Sequence, residues 1–377
     1  MINLAIIGAS YLQLPLIKKA KEMGYVTHVF AWKADDVGEK EADFFYPISI
    51  VKKKQILDKC QEIGTDGICS IASDLASITV NYVAQNMGLI SNNLDCSLKS
   101  TNKYYMRRCF EENGDPSPRC MLISNKKDLK GIKFEYPLIV KPTDRSGSRG
   151  VSKIEKYEEL NDAIKSALKE SFDKEVLIEE YVEGQEYSIE SITYKGIHTV
   201  LTVTNKYTTG SPNYVETGHL EPAGLDKELY ERVEKVVKHA LDSLGVEYGA
   251  SHSEAKIDND GNIKIIEIGS RMGGDMIGSS LVELSTGYDF VESVIDVSLG
   301  RKPKEYVNKH LTNAAIKFVF DKNDIETYKK YKDKVNIVDY YFDDNLDEIV
   351  TDSSNRHGYF VITSDDRRVL EDILENK

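Results

Sequence analysis

The N-terminal part of the chain alternates short apolar runs with amphipathic segments, and this alternation constrains the fold more than any other feature. The runs NLAIIGAS, YVTHVFAW and TDGICSIAS have strand length, whereas LPLIKKAKEMG, KKQILDKCQEIG and ASITVNYVAQNMG have helical spacing and end in glycine. Strands joined through helices pair in parallel, because the helix supplies the crossover connection. The pattern therefore predicts an α/β domain with a parallel sheet over residues 1–97.

The following part of the chain has a different pattern, which predicts a separate α+β module over residues 98–300. Its first section contains the strand-like runs MLIS, YPLIVKP and KIEK and the amphipathic segment YEELNDAIKSALKES, and we expect it to form a smaller subdomain over about 118–195. The runs EVLIEEYV and EYSIESITYKGIHTVLTVTNKY predict antiparallel strands. Residues 301–377 predict a small C-terminal α+β unit.

Two segments near the middle have clear local signatures. The segment TTGSPNYVETGHLEPAG has few apolar residues and many turn formers, so we expect a long loop of the kind that often covers a binding site. The segment DKELYERVEKVVKHALDSLG places its apolar residues on one stripe and ends at Gly245, which predicts a long amphipathic helix.

Composition excludes several classes of protein. A net charge of −13 without a basic block argues against a nucleic-acid partner, and no run of about 18 apolar residues exists that would span a membrane. The start MINLAIIGAS lacks the basic leader of a signal peptide, and the five cysteines are odd in number and lack CxxC spacing. We therefore expect a cytoplasmic protein with free thiols and without structural zinc or disulfides.

A predicted hairpin brings two carboxylates together. The runs GASHSEAKI and NIKIIEIGS flank the turn DNDG, so Glu254 and Glu267 should lie opposite or diagonal to each other. Alternation along a strand puts His252, Glu254 and Lys256 on one face, and Ile263, Ile265 and Glu267 on one face of the partner strand. Two close carboxylates repel unless a cation lies between them, and Mg²⁺ prefers such ligands together with substrate phosphates. The alternative is that one glutamate faces solvent and the pair never meets.

Three further features indicate an anion site. Lys141 ends an apolar strand, and the loop DRSGSRGV that follows contains Ser146, Gly147, Ser148 and Gly150, whose backbone N–H groups can fold over phosphates. Arg271 follows Glu267 in EIGSRMGGD, where it can clamp a phosphate or a carboxylate. Two of these features also have an ordinary explanation: the loop can be a common turn, and the arginine can be the partner of a surface acid.

The order of these features is more specific than any one of them. Lys103 opens a predicted helix, Lys141 and its loop follow, then the acidic run IEEYVEGQE, and finally the two glutamates and Arg271. In this order the chain resembles the ATP-grasp superfamily over residues 1 to about 300, most closely the branch of amino-acid ligases and carbamoyl-phosphate-synthase-like proteins. The resemblance implies a pre-ATP-grasp domain over 1–97 and an ATP-grasp fold over 98–300, in which two α+β subdomains enclose ATP.

The resemblance also implies roles for individual residues. Lys103 and Lys141 would hold the ATP phosphates, Ser146 to Val151 would close over them, and Arg271 would steady an acyl phosphate. The full implied ATP-binding set is Lys103, Lys141, Ser146, Gly147, Ser148, Gly150, Val151, Glu179, Glu180, Tyr181, Val182 and Glu186. Within it, the run 179–182 would contact adenine and Glu186 the ribose. Glu254 and Glu267 would bind Mg²⁺ or Mn²⁺, and Arg271, Glu267 and Lys141 would be catalytic.

The chain departs from the family pattern at one position. Many members read Glu-x-Asn-x-Arg, with the asparagine as a further metal ligand, whereas this chain has Gly269 there. The number of metal ions is therefore open. His252 would lie near the acceptor substrate or, alternatively, pack beneath the sheet.

The implied activity is ATP-dependent ligation of a carboxylate to an amine through an acyl phosphate, with an amino acid as one substrate. Residues in loops or on faces that can line the substrate site are Tyr11, Ser73, Asp74, Lys206, Glu216, His219, His252 and Arg271. Two alternatives stay open: an enzyme of the same fold acting on formate, bicarbonate or a purine intermediate, and a nucleotide-binding protein without catalysis. A homodimer is expected from the resemblance alone.

Overall fold

The structure is a computed structural model that describes residues 1–124, 134–211 and 214–376. The predicted N-terminal parallel sheet is confirmed, with the strand order β3-β2-β1-β4. Its strands are β1 (Asn3–Ile7), β2 (Val26–Phe30), β3 (Phe44–Tyr46) and β4 (Gly67–Cys69). The helices around it are α1 (Leu14–Glu22), α2 (Val37–Glu41), α3 (Lys53–Ile63) and α4 (Asp74–Met87). The sequence pattern missed α2 and β3, which are too short to show a periodicity.

Two helices, α5 (Leu94–Lys99) and α6 (Lys103–Asn113), connect this domain to the rest of the chain. The side chain of Asn102 caps α6 by accepting a hydrogen bond from the Tyr104 backbone N–H at 3.0 Å. Gly114, with a φ of 76°, ends the helix. This capping fixes Lys103 in the first turn of α6, at the edge of the candidate site.

A small antiparallel sheet follows, with the order β5-β8-β6-β7. It contains β5 (Cys120–Ile123), β6 (Leu138–Pro142), β7 (Ser152–Ile154) and β8 (Val176–Glu180), and α7 (Leu160–Glu170) covers its apolar face. We expected this subdomain to reach residue 195, but the next strand belongs to another sheet. Residues 125–133 of the expected range lie outside the described residues.

The largest sheet has eight strands in the order β13-β12-β9-β10-β11-β14-β16-β15. The strands are β9 (Gln185–Tyr194), β10 (Ile197–Thr208), β11 (Glu216–Glu221), β12 (Tyr248–Ile257), β13 (Ile263–Gly269), β14 (Asn313–Phe318), β15 (Asn336–Phe342) and β16 (Gly358–Ser364). The remaining helices are α8 (Lys227–Leu244), α9 (Val282–Thr286), α10 (Phe290–Ser298), α11 (Lys322–Tyr331) and α12 (Arg367–Leu374). Short 3-10 and π turns complete the described chain.

The C-terminal strands extend this large sheet. β14 pairs with β11 in antiparallel fashion, and β16 pairs with β14. The sheet therefore continues across the predicted boundary at residue 301, because strands from both sides of that boundary belong to it. The predicted long loop at 208–224 was partly wrong, because it contains β11, whose pairing with β10 and β14 outweighs its weak local signal. Residues 212 and 213 of that loop lie outside the described residues.

The predicted helix α8 packs its apolar stripe against the back of the predicted hairpin. Val233, Ala240 and Leu241 are fully buried there and share a core cluster with Ile263 and Ile265 of β13. Full burial of a valine or leucine side chain stabilises the fold by about 1.5–3 kcal/mol. This packing fixes the hairpin from behind and leaves its other face for polar side chains.

None of the helices in the described ranges is long and apolar enough to cross a membrane. The predicted free thiols are confirmed, since Cys60, Cys69, Cys96, Cys109 and Cys120 are all unpaired. Burial raises the pKa of both the Cys69 and the Cys96 thiol to about 12.

Glu221 gives the fold a pH-dependent weak point that a single substitution tests. Burial raises the pKa of Glu221 to about 8 from the ordinary value of 4.5, and its carboxyl group accepts hydrogen bonds from Ser285 Oγ at 2.6 Å and Thr204 Oγ1 at 2.8 Å. As pH rises from 4.5 to 8, the unfolded chain loses a proton that the folded chain keeps, so the wild-type stability falls.

We expect the free energy of unfolding of Glu221→Gln to increase relative to that of the wild type by a few kcal/mol as pH rises from 4.5 to 8. The reason is that the neutral amide does not lose a proton when the chain unfolds. Urea denaturation at several pH values measures the difference. A constant difference between the two proteins from pH 5 to pH 8 would show that Glu221 is ionised in the fold.

Candidate active site

The hairpin of β12 and β13 places Glu254 directly opposite Glu267. The register shifts immediately afterwards, so that Ala255 pairs with Ile265 and Ile266 is the extra residue of a β-bulge. The expectation that Ile263, Ile265 and Glu267 share one face was wrong for this reason. Ile263, Ile265 and Ile268 lie in the core, whereas the bulge turns Glu267 into the cavity beside Glu254.

Lysines compensate the charge of these two glutamates. Lys206 Nζ lies 2.6 Å from Glu254 Oε1 and 2.7 Å from Glu186 Oε1, and Lys103 Nζ lies 2.9 Å from Glu267 Oε1. Burial by itself lowers the pKa of Lys206, but the carboxylates of Glu186 and Glu254 raise it well above its ordinary value. Burial by itself raises the pKa of Glu254, but Lys206 and His252 lower it well below its ordinary value.

Lys141 is held by a buried ionic triad. Glu179 Oε2 lies 2.6 Å from Lys141 Nζ, and Glu179 Oε1 lies 2.7 Å from Arg107 Nε. Arg107 Nη2 also donates a hydrogen bond of 2.5 Å to the carbonyl oxygen of Ile266, the bulge residue. Burial lowers the pKa of Lys141 despite the neighbouring Glu179 carboxylate. The triad thus ties the small sheet, α6 and the bulged strand to one another.

The loop after Lys141 is a series of tight turns between β6 and β7. Gly147, Ser148 and Gly150 have φ values of 69°, 56° and 71°, in the left-handed region that favours glycine. Ser148 Oγ donates a hydrogen bond of 3.3 Å to the Tyr214 carbonyl oxygen. A side chain at Gly147 would lie 3.0 Å from Ser353 Oγ, so the C-terminal unit packs directly on this loop.

The segment at 180–182 lies where β8 leaves the small sheet. Glu180 pairs with Arg119 through an Oε2–Nε distance of 2.8 Å, and the Val182 carbonyl oxygen accepts a hydrogen bond of 3.2 Å from Lys256 Nζ. The ammonium groups of Lys153 and Lys256 lie 4.4 Å and 4.9 Å from the centre of the Tyr181 ring. The segment therefore combines an aromatic face with nearby cations.

Arg271 pairs with Asp74 of the N-terminal domain. Arg271 Nε donates to Asp74 Oδ1 at 2.7 Å and Nη2 donates to Oδ2 at 3.1 Å. Burial alone would raise the pKa of Asp74, but the guanidinium lowers it. Asp74 Oδ1 also lies 3.0 Å from where a side-chain carbon at Gly269 would start. The Asp74–Arg271 pair therefore takes up space that the asparagine expected at position 269 would need.

His252 faces the cavity side of the sheet, next to an acid that the sequence analysis did not identify. His252 Nδ1 donates a hydrogen bond to Glu190 Oε1, and Glu190 Oε2 accepts a hydrogen bond of 3.0 Å from the Gly273 backbone N–H. Burial lowers the pKa of His252, but the Glu190 carboxylate outweighs it and raises that pKa to about 9.

Most predicted site residues meet in one cavity of about 190 Å³. The predicted residues that line it are Lys103, Lys141, Ser146, Gly147, Ser148, Val151, Glu179, Glu180, Tyr181, Val182, Glu186, Lys206, Glu216, His252, Glu254, Glu267 and Arg271. Asp74 lines an adjoining cavity together with Lys103 and Glu267, and Gly150 lines a groove on the outer side of its loop. His219 lines neither cavity, and its Nε2 lies 3.4 Å from Asp275 Oδ2.

Three residues of the site were missed, and two of them had a usable signal. Arg107 lies four positions after Lys103, on the same face of α6. Glu190 follows Glu186 and Ser188 at the alternating positions of one strand face. Arg356 comes from a loop between β15 and β16 and pairs with Asp275, but nothing in its local sequence indicates that contact.

The donor set fits a hard divalent cation that also binds substrate oxygens. Among the described residues, no group of three or more His, Cys, Asp or Glu side chains is arranged to hold a metal ion. Glu254 and Glu267 provide two carboxylates on paired positions, each now neutralised by a lysine ammonium. Mg²⁺ is commonly held by one or two carboxylates together with phosphates and water.

Comparison with known proteins shows which sequences this chain resembles. A family model described as an ATP-grasp domain matches residues 134–279. Alanine–anticapsin ligase of Bacillus subtilis is 26% identical over 301 residues, which cover 70% of this chain and 63% of that protein. The chain thus matches less than two thirds of the length of this curated relative.

Solved structures share the fold over the whole chain. An L-amino acid ligase from Bacillus licheniformis has a TM-score of 0.85 at 22% identity and covers 100% of this chain and 96% of its own. A phosphoribosylglycinamide synthetase from Anaerococcus prevotii has a TM-score of 0.77 at 20% identity and covers 100% and 97%. These likenesses establish the fold, including its C-terminal unit.

The ionic triad predicts different effects for two adjacent arginines of α6. Arg107→Met should lower the free energy of unfolding by about 3 kcal/mol or more, because it leaves Glu179 with one buried partner. Arg108→Met is the matched control. Arg108 is exposed, and its ion-pair partners among the described residues are Glu111 and Glu112, so we expect a loss of under about 1 kcal/mol. Urea denaturation measures both values, and equal losses would show that the triad does not stabilise the site.

Proposed function

We propose that this protein is a member of the ATP-grasp superfamily and an ATP-dependent ligase that joins a carboxylate to an amine. The observation that carries the proposal is the meeting, in one cavity, of two buried lysines, a turn-rich loop and two opposed glutamates. These groups come from α6, the small sheet and the large sheet. Their convergence provides separate contacts for phosphates, for a divalent cation and for a reacting acid.

The nucleotide would lie between the two sheets. Lys103 and Lys141 would contact its phosphates, and the loop at 146–151 would close over them with its backbone N–H groups. The backbone of 180–182 would contact adenine, with Tyr181 and its neighbouring cations beside it. The Glu186 carboxylate would accept hydrogen bonds from the ribose hydroxyls. The Glu179 carboxylate has Arg107 and Lys141 as partners, so its role would be to position Lys141.

Glu254 and Glu267 would hold Mg²⁺, which neutralises phosphate charge when it is bound. In the present structure Lys206 and Lys103 supply that neutralisation. We expect both ammonium groups to turn from the glutamates towards phosphate oxygens when nucleotide and metal enter. Gly269 has no side chain that could bind the metal ion, and Asp74 and Arg271 fill the space beside it. The proposed metal site therefore has no protein ligand at position 269.

The reaction would proceed in two displacements. A substrate carboxylate oxygen attacks the γ-phosphorus, the bond from that phosphorus to ADP breaks, and an acyl phosphate forms. The amine nitrogen then attacks the carbonyl carbon, phosphate leaves, and the amine loses a proton. Arg271 would contact the acyl phosphate and hold it in line, while the surrounding lysines stabilise the charge that develops. The closed loop would exclude water, which otherwise hydrolyses the acyl phosphate.

An amino acid is the substrate class that the site supports best. Glu216 lines the cavity as a partner for an α-ammonium group, and Arg271 suits a carboxylate. The similarity to alanine–anticapsin ligase and to an L-amino acid ligase also favours this class. The carboxylate and amine substrates themselves, a cytoplasmic location and a homodimer stay predictions.

The first test is a screen of phosphate release from ATP and Mg²⁺ with single amino acids and pairs of them, coupled to product mass. We expect one pair to stimulate ADP formation and to give a mass equal to the sum of the two minus water. Stimulation only by formate, bicarbonate or a purine intermediate would assign the alternative acid class. Tight ATP binding without turnover on any acid would contradict the ligase proposal.

Glu267→Gln tests the proposed metal site. We expect turnover to fall by about a thousandfold or more, because a neutral amide is a poor Mg²⁺ ligand, with the melting temperature nearly unchanged. Glu231→Gln, on the exposed face of α8, is the control and should retain full activity. Loss of the folded state in Glu267→Gln would instead give Glu267 a structural role.

A further inference from the structure

The segment that follows β13 is strained, and a distant arginine holds it. Asp275 and Met276 have φ values of 52° and 59°, so two consecutive residues with side chains adopt the left-handed conformation. Conformations of this kind persist only where surrounding contacts fix them. The segment 271–276, which we call the acceptor turn, carries Arg271 and the Gly273 N–H.

Arg356 supplies one of those contacts. Its Nη2 donates to Asp275 Oδ1 at 2.6 Å and its Nη1 donates to Asp275 Oδ2 at 3.0 Å, which makes a bidentate pair. The guanidinium lies 3.5 Å from the centre of the Phe318 ring, and only 5% of the Arg356 side chain is exposed. The arginine is therefore fixed on one side by β14 and on the other by the acceptor turn.

The acceptor turn is packed on its other side against groups of the proposed site. The Gly273 N–H donates to Glu190, which also binds His252, and a side chain at Gly273 would lie 2.7 Å from His252 Nδ1. Arg271 is paired with Asp74. A shift of the turn would therefore move Arg271 and open the contact between Glu190 and Gly273.

We propose that Arg356 is a positioning residue of the ligase reaction, which holds the acceptor turn through Asp275 and so fixes Arg271, which lines the cavity, and the Gly273 N–H, which binds Glu190. The inference rests on the proposed function for its effect on substrates. It gives the C-terminal unit a direct part in the site, through a residue 81 positions after Asp275. The bidentate pair of Arg356 and Asp275, which we call the clamp, is present in the protein without substrate.

Arg367 is a matched control for Arg356. It also anchors the C-terminal unit, since its guanidinium donates to the carbonyl oxygens of Pro222 and Ala223 and to Glu371 Oε1. The first two contacts lie at the end of β11, the third lies within α12, and none of the three involves the acceptor turn. A variant of Arg367 therefore loosens the same unit without releasing Asp275.

The first measurement is hydrogen exchange of peptides covering 270–280 in the substrate-free protein. We expect Arg356→Gln to speed exchange there by about tenfold or more, because the fixed turn then opens locally, whereas Arg367→Gln leaves these peptides unchanged. Arg356→Lys should give an intermediate value, because an ammonium group cannot form the bidentate pair. An unchanged exchange rate of these peptides in Arg356→Gln, or an equal increase in Arg367→Gln, would show that Arg356 does not hold the acceptor turn.

The second measurement is kinetic and uses the substrate pair found by the screen. We expect Arg356→Gln to raise KM for the acid or the amine by about tenfold or more, with ATP affinity by calorimetry changed less than about twofold. Asp275→Asn should have the same effect, and the double variant should be no worse than either single one.

The outcomes separate the two proposals. A faster-exchanging turn with an unchanged KM would overturn the positioning role and leave the ligase function intact. A wild-type protein that ligates nothing would overturn the proposed function and the positioning role together, while the exchange data would still decide whether the clamp exists.

Discussion

The pairing of Glu254 with Glu267 across one hairpin is the constraint around which the rest of the site is arranged. Two carboxylates that share a partly buried cavity repel each other, so that either one keeps its proton or a cation compensates the charge. Lys206 reaches Glu254 across the intervening strand β9, and Lys103 reaches Glu267 from the first turn of α6. The same charges that need compensation in the free protein make the cavity suitable for a divalent cation and a polyphosphate.

Two Arg–Asp pairs extend this principle to the segment that leaves the hairpin. Asp74 of the N-terminal domain pairs with Arg271, and Arg356 of the C-terminal unit pairs with Asp275. The segment is thus held from both ends of the chain, while α8 supports the hairpin from behind. The site therefore depends on the N-terminal domain and on the C-terminal unit as well, because each of them contributes one member of an ion pair with this segment.

Much of this arrangement was predictable where the signal is local. The parallel sheet, the hairpin, α8 and the start of α6 at Lys103 follow from periodicity and from turn residues, and the structure contains all of them. The strand β11 and the bulge at Ile266 were not predictable, because both depend on pairing with strands distant in sequence. The bulge matters most, since it reverses the face on which Glu267 lies.

The sequence by itself determined which groups are available: two lysines, a glycine-rich loop and two glutamates in the order that resembles ATP-grasp proteins. It also determined that Gly269 takes the place of an expected metal ligand. Only the tertiary structure decided the partners: that Glu179 holds Lys141, that Asp74 fills the space beside Gly269, and that Arg356 holds Asp275. The reason is physical, because an ion pair depends on distance in space, and these partners lie many residues apart along the chain.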